Sequence, residues 1–229
     1  MKKILSVLAA TAVLTVATGA MAGIVTSKHN LSSGNGLPER GQTNQICVYC
    51  HTPHNSVMTR ALWNRNNPTA SFKLYTSGVI KEDDSWYATG SSRTLDPNSP
   101  SILCMSCHDG TTGVNAAVAT APIGLDDTRP SSIPLNTGFG ATDFVAGKAA
   151  LGTNLTNDHP INIIYSKAVA ASGTLAPADG SNKVGGVLPL AKEIYLECNT
   201  CHNVHDNTYV PFLRVSMENS KLCTTCHLK

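Results

Sequence analysis

Apolar positions run together once in this chain and are broken up everywhere else. Behind Lys2 and Lys3, Ile4 to Val16 form a nearly unbroken apolar run, and Ala20-Met21-Ala22 follows as a small-residue cleavage site. The run falls well short of the roughly 20 residues that a membrane-spanning helix needs. Residues 1–22 are therefore expected to be a Sec-type signal peptide rather than an uncleaved anchor. No cysteine lies near Ala22, which argues against a lipid-anchored N-terminus. Later apolar runs are short and interrupted, so no transmembrane span is expected in the mature chain.

The remaining pattern predicts short elements. Ser99 is placed to cap, Pro100 suits a first helical position, and Asp109-Gly110 ends the turn, so Cys104 and Cys107 are expected on a brief helix. Ser220 is expected to cap a similar turn at Cys223. "EIYLE" at 193–197 and "PFLRV" at 211–215 read as short strands. Between His108 and Cys198 lie 89 residues rich in Ala, Gly, Thr, Ser, Asn and Pro. Their scattered Ile, Val and Leu suggest packed irregular coil with short strands rather than a disordered linker.

Composition makes this pattern harder to explain. Aromatic residues are only 5% of the chain, beside 18 Gly and 12 Pro, a thin stock for an ordinary apolar core. The formal charge of +2 belongs to the precursor: cleavage after Ala22 removes two lysines and no acids, leaving 0. There is no basic stripe, and nucleic acid is not an expected partner.

The cysteines supply the missing element. All eight fall into four clusters: Cys47-Val-Tyr-Cys50-His51, Cys104-Met-Ser-Cys107-His108, Cys198-Asn-Thr-Cys201-His202 and Cys223-Thr-Thr-Cys226-His227. Each is C-x-x-C-H, the attachment signal for c-type haem. Two thiols at this spacing reach the two vinyl groups on one porphyrin edge, and the adjacent histidine binds the iron as proximal ligand. Paired zinc sites or disulfides leave the recurrent histidine unexplained. Four covalently attached haem c groups are expected, and they would stand in for the missing aromatic core. Their propionates would make the holoprotein acidic.

Four of the eight histidines remain: His29, His54, His159 and His205, one for each iron. The matched count points to bis-histidine ligation throughout. His54 and His205 each follow a proximal histidine by three residues, on the wrong side of its own ring, so each should bind a neighbouring iron. Methionine is the rival axial ligand; Met105 is poorly placed inside a motif, whereas Met58 and Met217 remain open. The order of features repeats as an upstream histidine, C-x-x-C-H-x-x-H and a second C-x-x-C-H. The expected units are 23–115 (first dihaem unit), 116–190 (haem-free coil-rich connection carrying His159) and 191–229 (second dihaem unit), within one compact domain. The simplest pairing gives each upstream histidine to the first haem of its unit and each x-x-His to the second.

The segments "KHNLSSG", "ICVYCHTPHN", "ALWNR", "LCMSCHDGTTGV", "LTNDHPINIIY", "LECNTCHNVHDN", "FLRVS" and "LCTTCH" together resemble the doubled C-x-x-C-H cytochromes, specifically the OmcE-type tetrahaem cytochromes of metal-reducing bacteria. The fold class expected is a multihaem cytochrome c, mostly irregular coil with short helices and a few short strands wrapped around a stack of four haems. The resemblance implies a secreted electron-transfer protein at the cell surface or in an extracellular filament. Its expected partners are copies of itself, other multihaem cytochromes and extracellular electron acceptors, with one axial histidine donated across the subunit interface. His54 is the expected donor, ahead of His205. A soluble periplasmic shuttle is the alternative. A multihaem reductase needs an iron with an open position, and the histidine count leaves none, so no catalytic residue is assigned.

Overall fold

The computed structural model describes residues 23–32, 46–51, 62–65, 67–81, 87–88, 94–110 and 149–228; the signal segment, His54 and Met58 lie outside them. Regular elements are few and short, with irregular chain between them. Helix α1, Pro100–His108, forms where the sequence predicts it. The Ser99 hydroxyl accepts the Ile102 N–H at 3.3 Å, Pro100 opens the helix, and the chain leaves through Gly110 at φ +67. Ile102 and Met105 turn inward, so Met105 is a core residue.

The stretch after residue 149 is more than coil. Strand β1, Ile163–Ile164, leads directly into helix α2, Tyr165–Ser172, whose last turn closes on Gly173 at φ +63. The alanine-rich run makes this helix favourable, a signal that the surrounding Gly, Ser and Thr obscured. Strands β2, Lys183–Val184, and β3, Leu188–Pro189, form an antiparallel hairpin. Strand β4, Tyr195–Leu196, lies inside the expected strand 193–197 and pairs antiparallel with β1 in the register Ile163↔Leu196. The chain ends in helices α3, Cys198–Cys201, and α4, Lys221–Cys226. Gly185 lets the hairpin approach α4, because a Cβ there would stand 2.6 Å from Thr225 Cγ2.

Two local expectations are corrected. Residues 211–215 form no strand; Leu213 makes single bridges to His202 and Tyr209 instead. Ser220 stands at the N-cap of α4 with left-handed backbone, and its side chain does not cap.

A contiguous apolar core is present despite the low aromatic content. Phe72, Leu74, Leu95, Met105, Ile163 and Leu188 are almost wholly buried within one cluster that runs from the first half of the chain to Val215. Asn162 ties the segments around this core. Its φ of +60 suits an asparagine, its N–H donates to the Leu196 carbonyl at 2.7 Å, and its carbonyl accepts the Ala88 N–H at 2.8 Å. Its side chain bonds Thr94 and Asp96. Among the described residues no helix is long and apolar enough to cross a membrane.

Candidate haem centres

Each C-x-x-C-H motif folds as one helical turn, which brings its two cysteines to the same side. The histidine N–H closes the turn on the first cysteine carbonyl at 2.8 Å for His51, 3.0 Å for His202 and 2.9 Å for His227, and His108 ends α1. All eight cysteines are free thiols. Among the described residues, no three His, Cys, Asp or Glu side chains converge as a bare-ion site. Burial, with the neighbouring Cys107, pushes the Cys50 thiol up to about 12, and burial pushes Cys201 up to about 11. Both thiols are thereby held in the neutral form.

The histidines meet in pairs. Ring centroids lie 5.8 Å apart for His29 and His108, 6.1 Å for His51 and His205, and 6.3 Å for His159 and His227. An imidazole nitrogen sits about 2 Å from a first-row metal that it binds, so two rings on opposite sides of one ion have centroids about 6 Å apart. The three pairs fit that spacing. The interplanar angles differ: 51°, 25° and 80° respectively.

These are not the partners of the simplest assignment. Each upstream histidine meets the second motif of its unit, and His205 crosses to the first motif of the other half. The fourth proximal histidine, His202, has no second imidazole among the described residues, and His54 lies outside them.

Three of the histidines have their ring nitrogens assigned by a neighbouring carbonyl. Nδ1 lies 2.7 Å from the Ala149 carbonyl in His108, 3.0 Å from the Pro211 carbonyl in His202 and 3.1 Å from the Pro160 carbonyl in His159. A carbonyl can only accept, so Nδ1 carries the proton and the Nε2 lone pair remains for a metal. Two aromatic residues complete the support. Phe212 stacks on His29 with centroids 4.7 Å apart and planes 22° from parallel, and Trp63 meets His51 edge-on at 5.5 Å. The Trp63 indole nitrogen is buried with no hydrogen-bond partner, a donor suited to a cofactor carboxylate.

The two double-histidine motifs are closed by the same contacts among the described residues. In the first, Trp63 bridges His51 and the Asn64 N–H donates to the Cys50 carbonyl at 2.9 Å. In the second, Leu213 bridges His202 and the Arg214 N–H donates to the Cys201 carbonyl at 2.9 Å. The residue before each bridge has left-handed backbone: Leu62 at φ +51 and Phe212 at φ +60. Leu62, Trp63 and Asn64 are thus the equivalents of Phe212, Leu213 and Arg214.

Arg65 is buried beside the first two motifs, donates to the Ser106 carbonyl at 3.2 Å and places positive charge near Cys50 and Cys107. Sequence reasoning missed this residue, although "ALWNR" follows the motif closely. It also missed Glu197, which joins the halves. This buried carboxylate caps α3 in a box with Thr200, accepts the Ser101 hydroxyl of α1, and neighbours Cys198, whose N–H donates to Ser101 Oγ at 3.0 Å. Burial raises the Glu197 carboxyl to about 7, against the hydrogen bonds from Ser101 and Ser99. The Cys104 thiol donates to the Pro100 carbonyl at 3.7 Å, and across the same joint the neighbouring Cys198 pushes Cys104 up while Cys104 pushes Cys198 down.

Residues 189–229 match the family model for the doubled CXXCH motif. The match takes in α3, α4 and the third and fourth C-x-x-C-H turns. These motifs imply covalently bound haem c and place the segment with haem-binding electron-transfer proteins. No curated protein matches the chain.

Proposed function

We propose that the chain carries electrons through four bis-histidine c-type haems and works as the subunit of an extracellular cytochrome polymer. The observation that carries this reading is the set of three imidazole pairs at metal-bridging distance, each containing one proximal and one spare histidine. The repeated hairpin after Cys50 and Cys201 supports extending haem attachment from the matched segment to the first half.

In this reading Cys47 and Cys50 attach a haem held by His51 and His205, and Cys104 and Cys107 one held by His108 and His29. Cys223 and Cys226 attach a haem held by His227 and His159, while Cys198 and Cys201 attach one at His202. His54 is left for His202. Because His205 is engaged inside the chain, His54 is also the histidine free to serve a neighbouring copy, which favours it as the donor across a polymer interface. The haem supplies a reversible one-electron site. The paired imidazoles would hold each iron from both sides, and in His108, His159 and His202 the Nδ1 proton rests on a carbonyl, which would fix those rings in both oxidation states. Arg65 adds positive charge near the first two motifs, favouring the reduced state there.

Electron paramagnetic resonance of the oxidised holoprotein tests the ligand set. Iron d-orbital splitting depends on whether the two imidazole π systems act along the same direction. The 25° pair and the 80° pair should therefore give resolved low-spin signals of different anisotropy. Four haems per chain, all low-spin, is the expected result. A high-spin signal from one haem in four overturns the complete bis-histidine set.

A further inference from the structure

Residues 23–32 fold into a compact knot. The Ser27 hydroxyl and the Ser27 N–H both donate to the Ile24 carbonyl at 2.9 Å, and the buried Asn30 amide donates to the Val25 carbonyl at 2.7 Å. The knot meets the second half of the chain at two points. His29 stacks on Phe212, and Gly23 lies against the backbone of His205, Asp206 and Asn207. A Cβ at Gly23 would stand 2.7 Å from the His205 carbonyl oxygen and 3.0 Å from both the Asn207 nitrogen and the Asp206 Cα, against the roughly 3.5 Å at which nonbonded atoms rest. With the leader removed after Ala22, as its cleavage site predicts, this glycine opens the mature chain.

The backbone that Gly23 touches is tied to itself. Asn203 Oδ1 accepts the His205 N–H at 3.3 Å, and Asp206 Oδ1 accepts the Thr208 N–H at 2.9 Å and its hydroxyl at 2.6 Å. Asn207 Oδ1 accepts the Phe212 N–H at 3.0 Å. A push at the His205 carbonyl therefore moves this loop as one piece, and the His205 imidazole moves with it. That imidazole stands 6.1 Å from His51, centroid to centroid. A metal–nitrogen bond of about 2 Å leaves little room for such a movement.

We propose that Gly23 is a positioning residue for the first haem centre: having no side chain, it lets the N-terminal knot seat the 203–212 loop so that His205 stands opposite His51. The proposal rests on the reading of His205 as an axial ligand and adds the contact through which the N-terminal segment acts on it. The knot then serves two centres by different means. His29 goes to the His108 centre as a ligand, whereas Gly23 reaches the His51 centre through backbone contact alone.

The test uses the mature holoprotein, with haem content and the first residue of each variant checked by intact mass. In electron paramagnetic resonance, Gly23→Ala should shift the low-spin signal of one haem, and the bulkier Gly23→Val should convert that haem to high spin. Added imidazole should return it to low spin, because the iron has lost a ligand and kept its haem. The haem affected should be the one that His205→Ala alters. Gly180→Ala, at a glycine with nothing within 4 Å of the new methyl group, should leave every signal unchanged. If Gly23→Val lowers the haem content, the milder Gly23→Ala should still move that one signal. Wild-type signals from both Gly23 variants, beside a His205→Ala that loses one low-spin haem, overturn the role of Gly23 and leave His205 a ligand. A change spread over all the haems, or confined to a different one, overturns it equally. If His205→Ala alters no haem, the ligand reading falls and this inference with it.

Discussion

The segments that bridge back to His51 and His202 share their closing contacts and differ in the surfaces they present. Register, the bond to the second cysteine carbonyl and the left-handed residue before the bridge agree, yet the side chains at equivalent places do opposite work. In the second hairpin Phe212 is buried on His29 and Arg214 is partly exposed; in the first, Leu62 faces solvent and Asn64 is buried. The backbone of each hairpin is thus determined locally by its motif, while the side chains placed on it decide what the hairpin covers. One set of closing contacts carries two different surfaces.

The largest test of that comparison removes the crossing ligand. On the proposed ligand set, His205→Ala should convert one haem in four from low to high spin and let it bind carbon monoxide when reduced, leaving the other three unchanged; an unaltered spectrum would remove His205 from that set. Next comes the pair at the equivalent positions. Phe212→Ala should cost about 3–5 kcal/mol in denaturant unfolding of the holoprotein, and it should also alter one low-spin signal by freeing His29. Leu62→Ala should stay within about 0.5 kcal/mol of wild type in the dispersed chain. Equal losses at the two sites would show that exposure misreports their roles.

The joint between the halves gives a pH-dependent test. The Glu197 carboxyl has its folded value raised from 4.5 to about 7, so the fold favours the neutral form. That contribution is fully present below pH 4.5 and is lost as pH rises through about 7. Glu197→Gln should match wild type below about pH 4 and exceed it by up to about 3 kcal/mol near pH 8, measured by denaturation at the two pH values. A constant difference would mean that folding leaves the Glu197 carboxyl at its ordinary value. The smallest effect compares the arginines. Arg65→Gln, at a buried site, should cost about 1–3 kcal/mol, and Arg214→Gln, partly exposed, under about 1 kcal/mol, in the same unfolding measurement.

What could be read along the chain was whatever depends on near neighbours. The four C-x-x-C-H turns, the Ser99-Pro100 start of α1 and the repeat of features are local patterns, and a local pattern carries its own physical cause. Histidine pairing is different. His29 and His159 look alike in sequence, and which proximal histidine each meets depends on how separate segments pack, so proximity along the chain suggested the wrong partners. Glu197 was hidden for a similar reason: within "EIYLE" it continues a strand pattern, and only the approach of Ser101 from α1 makes it a buried cap. Helix α2 was missed because Ala-rich and Gly-rich stretches adjoin and their compositions average out.

Pro211 and Phe212 are consecutive residues, and they hold imidazoles from different halves. The Pro211 carbonyl accepts the His202 Nδ1–H, and the Phe212 ring stacks on His29. A single peptide unit is thus a shared tuning element. Any change that moves it detunes two sites together, so in a library of variants the midpoints of these two sites should drift in concert. Adjusting one imidazole without the other would demand compensating changes elsewhere.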